Sequence, residues 1–224
     1  MLKPADFFDL SSTYYSDLFE AVGYVWDVIK RIPHYIELRL LPKIDGEVSP
    51  QAIIGKEVAI GPGTVVEPGA IIKGPAIIGA RCRIGSGAYI RENVIVGDNS
   101  VVGHTTELKN CVLLEGAAAP HFSYVGDSVL GQRAHLGAGA KISNFKINKS
   151  FIAVKVNDRK YDTGLLKFGA ILGDDADVGC NAVLNPGTLI GKRTLVYANA
   201  SVLGYVPPDS IVKVRQTIEI VERK

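Results

Sequence analysis

A repeat of six residues constrains this chain more than any other feature. Stepping by six from Val48 gives Ile54, Ile60, Val66, Ile72, Ile78, Ile84, Ile90, Val96, Val102, Leu108 and Leu114, every one aliphatic. Two residues before each, from Ala52 on, stands a small or β-branched residue, such as Val58, Thr64, Ala70, Cys82, Ser100 or Val112. Glycine often follows the aliphatic position, as at Gly55, Gly61, Gly79, Gly85, Gly97 and Gly103. A helix would repeat at 3.6 and an isolated strand at 2. A period of six with turn residues in each unit predicts short strands joined by tight corners, the pattern of a parallel β-helix. The aliphatic residue points inward, and successive coils stack at about 4.8 Å.

The pattern resembles the hexapeptide-repeat family. That resemblance implies a left-handed helix in which three hexapeptides, 18 residues, close one triangular coil. After Leu114 the beat returns at Leu130, 16 residues on and two short of a coil, and continues through Leu136 and Ile142. The slip is placed at 115–129. Ile142 to Leu172 spans 30 residues, five whole units, and the beat runs on through Val178, Leu184, Ile190, Val196 and Val202. The segment 148–167 alternates around Asn157-Asp158 and predicts a projecting hairpin. The expected organisation is an N-terminal helical cap over 1–44, the β-helix over 45–206 and a tail over 207–224. Within the cap, Tyr15, Leu18, Phe19, Val22, Val25, Trp26 and Ile29 predict an amphipathic α-helix over 14–31, closed by Pro33. A solenoid needs its end coil covered, and that is the role expected of this helix.

Composition narrows the function. The net charge is +2, with 21% charged residues, too balanced for a general nucleic-acid binder. Three scattered cysteines, Cys82, Cys111 and Cys180, suggest reduced thiols and a cytoplasmic setting. No apolar run is long enough to span a bilayer and the N-terminus lacks a signal-peptide pattern, so no membrane partner is expected.

The informative residues are those that break the coil pattern. Arg91 and Lys109 take the slot after the aliphatic residue, 18 apart. Stacking would set their backbones about 5 Å apart. Two cations so close repel unless an anion lies between them or acidic neighbours neutralise them, so the pair points to a phosphate site. His121, fixed behind Pro120, and Tyr124 fall in the slipped segment. A shortened coil would open a notch there and turn both side chains toward a ligand. Imidazole suits general-base work near neutral pH.

The stretch "ELKNCVLLEGAAAPHFSYVGDSVLGQRAHLGAGAKISNF" resembles the acetyltransferase half of the bacterial bifunctional N-acetylglucosamine-1-phosphate uridyltransferases. It carries their E-x-K stretch, their H-x-x-Y-x-G-D block and a Gly-Ala-rich run ending in Asn-aromatic. The stretch from Val154 to Gly191 is similar to archaeal sugar-1-phosphate nucleotidylyltransferase/acetyltransferases. The resemblance implies a cytoplasmic, homotrimeric N-acetyltransferase that moves an acetyl group from acetyl-CoA to the amine of a hexosamine 1-phosphate, with no metal. It implies His121 as general base and Asn144 as a second catalytic residue. Arg91, Lys109, Tyr124 and Lys149 would hold the sugar phosphate. Ala138, Cys180 and Ala198 would line the acetyl-CoA channel. His135 stands where those proteins carry asparagine, and Asn144-Phe145 replaces Asn-Tyr, so the sugar contacts depart from the pattern. The 47 residues before the repeat are too few for a nucleotidyltransferase domain, which would be a separate partner.

Two other readings stand beside this one. One is a non-catalytic protein that binds sugar phosphate or serves oligomerisation. The other is a zinc hydro-lyase of the γ-carbonic-anhydrase type using His104, His121 and His135, although these occupy different phases of the repeat and are expected to face different ways.

Overall fold

The structure is a computed structural model that describes residues 2–223. The hexapeptides form a left-handed parallel β-helix with three faces, carrying nine, nine and eight strands. Face I begins at Lys43–Ile44, face II at Glu47–Val48 and face III at Ile53–Ile54. Ile60, Ile78 and Val96 on face I, Ile84 and Val102 on face II, and Ile90 and Leu108 on face III are all buried inside the triangle. Each inward column is a stack of branched aliphatics. Burying each such side chain is worth about 1.5–3 kcal/mol, which is what allows two-residue strands to hold.

The slip is not where the sequence places it. Coils pair at a spacing of 18 as far as Ile90↔Leu108. Then Val96 pairs with Leu113, 17 on, so one residue is lost between Leu108 and Leu113. Val125 pairs Leu108 and Leu130 pairs Leu113, so the second is lost between Val125 and Leu130. Both losses fall at one corner, from face III to face I. The corner Arg91-Glu92-Asn93 shrinks to Lys109-Asn110 and then to Gly126-Asp127. Asn93, Asn110 and Asp127 keep the left-handed turn, with φ of 59°, 47° and 46°, a conformation these short polar side chains tolerate. The residues before His121 are therefore of normal length: Leu113 to Ala119 to Val125 keeps the step of six, and no notch is cut beneath the histidine. Leu114 leaves the interior stack predicted for it, and Val112 leaves the small-residue slot two positions before. Both are buried outside the triangle, under the N-terminal segment.

That segment does not cap an end. It lies along face I, whose outward column is Ile77, Ile95, Val112, Val129, Ile171, Leu189 and Tyr205. Trp26, Phe7, Phe8, Ile32 and Ile36 pack against it. Nor is 14–31 one α-helix. It holds 3-10 turns at Ser16–Phe19 and Val25–Asp27, and the α-helix is Val28–Arg39, with Pro33 inside it on the exposed side. Ala21, at φ 55°, and the extended Tyr24 break the expected run. The helix buries Val28, Ile29, Ile32, Tyr35 and Ile36, one face at helical spacing.

The hairpin at 148–167 also lies down instead of projecting. Ile152–Val156 and Arg159–Leu165 pair antiparallel, and Ile152, Val154 and Val156 are buried in the same outer cluster. Three apolar side chains on one strand face could not remain in water, and the N-terminal aromatics offer the nearest cover. Among the described residues, no helix is long and apolar enough to cross a membrane.

Candidate functional site

Face III is left uncovered, and it gathers most of the residues singled out above. Its outward column runs Ile71, Tyr89, Glu107, Tyr124, Lys141 and Val183. The edges on either side of it hold two distinct constellations.

At the edge shared with face I, the shortened corners draw charged groups inward. Lys109 Nζ lies 3.2 and 3.3 Å from the two oxygens of Asp127. Asn110 donates to the same carboxylate at 2.8 Å, and the Asn144 amide donates to its other oxygen. Asp127 is 5% exposed and Lys109 16%. One coil earlier, where the corner has full length, Arg91 reaches Glu107 at 3.0 Å and Glu92 at 3.4 Å and stays a third exposed. The predicted cationic pair is thus embedded among acids: three carboxylates, Glu92, Glu107 and Asp127, against two cations. Tyr124 is hydrogen-bonded to Asn144. Burial, then the Glu107 and Asp127 carboxylates, push its hydroxyl above the ordinary 10.0, so it stays protonated and available to donate. Gly126 makes this arrangement possible, because a Cβ there would lie 2.6 Å from the Tyr124 hydroxyl.

At the edge shared with face II, left-handed turn residues donate to the coil before. Phe122 N bonds His104 O at 2.7 Å, Gly139 N bonds His121 O at 3.0 Å, Asn181 N bonds Ala138 O at 2.9 Å and Asn199 N bonds Cys180 O at 2.9 Å. His121, Ala138, Cys180 and Ala198 therefore stand in one column, successive coils about 5 Å apart. Below His121 the edge carries Gly137-Ala138-Gly139, bordered by the Asn181 side chain and the Phe122 ring, then Gly179-Cys180 and Tyr197-Ala198. The His121 ring is exposed, has no hydrogen bond among the described residues, and lies 6.5 Å from the Phe122 ring.

Not every candidate joins these sets. Lys149 sits in the turn at the base of the hairpin and is exposed. Its side chain makes no hydrogen bond among the described residues. His135 faces outward on face II, its Nδ1 2.9 Å from Asp177 Oδ1. His104 and His121, expected to face different ways, are Cα partners on adjacent coils. The one-residue loss between them brings a separation of 17 into register. Among the described residues, no group of three or more His, Cys, Asp or Glu is placed to hold a metal.

Sequence reasoning passed over Glu107, Asn110 and Asp127. Glu107 and Asp127 are the acid of the E-x-K stretch and the Asp of H-x-x-Y-x-G-D. The signal was present, but nothing in the order of letters shows that the two acids meet the two cations.

The fold and this pair of edges define a hexapeptide-repeat β-helix that resembles the hexapeptide-repeat acetyltransferases. A family model described as the GMPPB C-terminal domain matches residues 72–178. The bifunctional sugar-1-phosphate nucleotidylyltransferase/acetyltransferase of Sulfurisphaera tokodaii is 36% identical over 98 residues, 44% of this chain and 24% of that one. The bifunctional protein GlmU of Methanococcus maripaludis is 30% identical over 203 residues, 91% of this chain and 49% of that one. The chain thus spans less than half the length of these relatives. Among solved structures, LpxA from Acinetobacter baumannii aligns with a TM-score of 0.38 at 15% identity, over 76% of this chain and 66% of that one.

Proposed function

We propose that this protein is an acyltransferase that moves an acetyl group from acetyl-CoA to the amine of a hexosamine 1-phosphate. The observation that carries the reading is the register of the open face. His121 heads a column of small residues, Ala138, Cys180 and Ala198, while Arg91, Tyr124 and Asn144 stand across the same face. Acetyl-CoA would lie along that column with its thioester at His121. The sugar would lie across face III with its phosphate toward Arg91. His121 takes the proton as the amine attacks the thioester carbonyl; the tetrahedral adduct then collapses to the amide, the C–S bond breaks, and His121 returns the proton to the leaving coenzyme A thiolate. Holding both reactants on one face supplies much of the acceleration. Asn144, whose amide is engaged by Asp127, contacts the sugar and fixes Tyr124. Lys109, held by the same carboxylate, sets the position of Asp127. Lys149 has no part in this reading. The homotrimer implied by the resemblance completes it.

The test is a thiol-release assay with acetyl-CoA and a panel of amino-sugar 1-phosphates, with the N-acetyl product identified by mass. Release that depends on the amino sugar supports the reading. Sugar-phosphate binding without thiol release would instead leave the non-catalytic binding protein. A purely monomeric mass in solution would count against the trimer.

A further inference from the structure

The edge between faces II and III sets two imidazoles side by side. His104 and His121 are Cα partners on adjacent coils, and both are exposed. The His104 tautomer is fixed by its neighbour. Its Nδ1 lies 2.8 Å from the Ser86 carbonyl oxygen on the coil before. A carbonyl can only accept, so in the neutral ring Nδ1 carries the proton and Nε2 keeps a lone pair. The two nitrogens of an imidazole point nearly opposite ways. With Nδ1 turned back to Ser86, Nε2 is turned toward the following coil, where His121 stands. Ser86 is itself held, its amide donating to the Glu67 carboxylate at 2.9 Å. The His121 ring has no hydrogen bond among the described residues, so nothing opposes its rotation toward His104.

We propose that His104 and His121 form a two-histidine site for a divalent transition-metal ion, zinc above all, and that the bound ion shuts off the catalytic base. The effect on turnover rests on the acetyltransferase reading above; the site itself does not. A neutral imidazole whose other nitrogen donates to a backbone carbonyl is the form in which histidine ligates zinc. Two nitrogens about 2.1 Å from one tetrahedral zinc lie about 3.4 Å apart. Registered residues on neighbouring strands start about 4.8 Å apart, so side-chain rotation alone closes the gap. Imidazole suits zinc, copper and nickel, whereas magnesium prefers oxygen ligands. Two protein ligands are one short of the three that a catalytic zinc takes, and water completes the coordination. The ion is therefore an inhibitor and not a hydro-lyase centre: it occupies the lone pair with which His121 accepts the proton of the attacking amine. His135 has no part in the site, because its Nδ1 is engaged by Asp177 on face II at 2.9 Å.

The experiment is calorimetric titration of zinc into the full chain without an affinity tag, with magnesium as the contrast. One zinc per chain is expected, and no binding of magnesium. Removing the second-shell partner of a metal-bound histidine costs about 10–100-fold in affinity. Loss of a ligand itself, in His104→Asn or His121→Asn, should weaken zinc binding by at least that factor, while His135→Asn binds zinc as the wild type does. Unaltered melting temperatures without zinc show that the variants are folded, as expected for exposed rings. A wild type that does not bind zinc, or a His104→Asn or His121→Asn variant that binds it undiminished, overturns the site. With acetyl transfer followed by the mass of the N-acetyl product, zinc should slow the wild type. The inhibiting concentration, taken against each protein's own zinc-free rate, should rise at least about tenfold in His104→Asn. Zinc that binds the pair without slowing turnover overturns the switch. A zinc-free wild type that transfers no acetyl group removes the acetyltransferase reading and the switch with it, and the zinc titration then decides the site by itself.

Discussion

Faces I and III are built from the same hexapeptide and finish differently. On face I the outward column is apolar from Ile77 to Leu189 and is sealed by the N-terminal segment and the hairpin. On face III the outward column mixes Tyr89, Glu107, Tyr124 and Lys141, and among the described residues no segment covers it. The shared inner stack holds both faces in shape, so the outward positions are free to serve either stability or chemistry. On the proposed function the two are segregated. That segregation makes a sharp demand: changes on face III should alter turnover and spare stability, and changes under the cover should do the reverse.

The largest effect is expected at His121. General-base catalysis contributes about 10²–10⁴-fold. His121→Ala should lower the turnover of acetyl transfer by that factor while the melting temperature stays within experimental error, since the ring is exposed and unbonded. The matching change on face I is Trp26→Ala. Trp26 is 1% exposed and stacks on Tyr24 at 4.7 Å. Its removal should cost about 3–5 kcal/mol in urea denaturation, with turnover per folded molecule unchanged. A Trp26 variant with intact stability and poor turnover would break the comparison.

Much of this contrast was legible in the sequence. The period of six fixes the inward stack from Ile60 to Leu108 and again from Leu130 to Val202 without reference to any structure. The cover was legible too, in a signal the reading passed over. Strands buried on both sides read as unbroken apolar runs, and face I supplies Ala76–Ile78, Val94–Val96, Cys111–Leu113 and Ala170–Leu172. Face III carries such runs only toward its ends, at 52–54, 70–72 and 182–184, and breaks them in the middle with Glu107, Tyr124 and Lys141. The slip was misplaced because Val112 and Leu114 are as aliphatic as Leu113. With three apolar residues in a row, the beat alone cannot say which one enters the triangle. The acids of the site were hidden for another reason. Asp127 meets Lys109 only because both corners lose a residue, and a period shows that a residue is missing but not what the shorter turn draws in.

A smaller effect should appear at Asp127, which belongs to both regimes. Asp127→Asn keeps the shape but leaves Lys109, 16% exposed, without its counter-charge. Loss of a charged hydrogen-bond partner costs about 1–3 kcal/mol, and thermal unfolding should report it. Loosening of Asn144 and Tyr124 should raise KM for the sugar at the same time. A change in KM with no loss of stability would mean that this corner is purely a binding feature.

The latch between cover and solenoid should show in pH dependence. Asp174 is 4% exposed and accepts from the Asp9 amide at 2.6 Å and the Gln132 amide at 2.8 Å, tying the N-terminal segment to the coil. Burial holds its carboxyl above the ordinary 3.8 despite those donors. A group raised in the folded protein adds stability that is complete below the unfolded value and is lost as pH rises through the folded one. Asp174→Asn should therefore flatten the fall in stability with rising pH just above 3.8. An identical slope in the variant would place that titration elsewhere.

The smallest effect is expected along the corner between faces I and II, where Arg133 grips Asp175 with two bonds of 2.6 and 2.8 Å. The geometry is bidentate, and the guanidinium beside it holds the Asp175 carboxyl below its ordinary value. Both side chains are nevertheless well exposed, at 59% and 41%, so solvent screens the pair. Exposed ion pairs contribute about 0–1 kcal/mol. Arg133→Gln should therefore lower stability by less than about 1 kcal/mol, and by less still in molar salt, where the charges are screened over about 3 Å. The wild type and the variant should then melt together. A loss comparable to that of Trp26→Ala would mean that the corner, and not the covered face, holds the coils in register, and the division between the two faces would have to be redrawn.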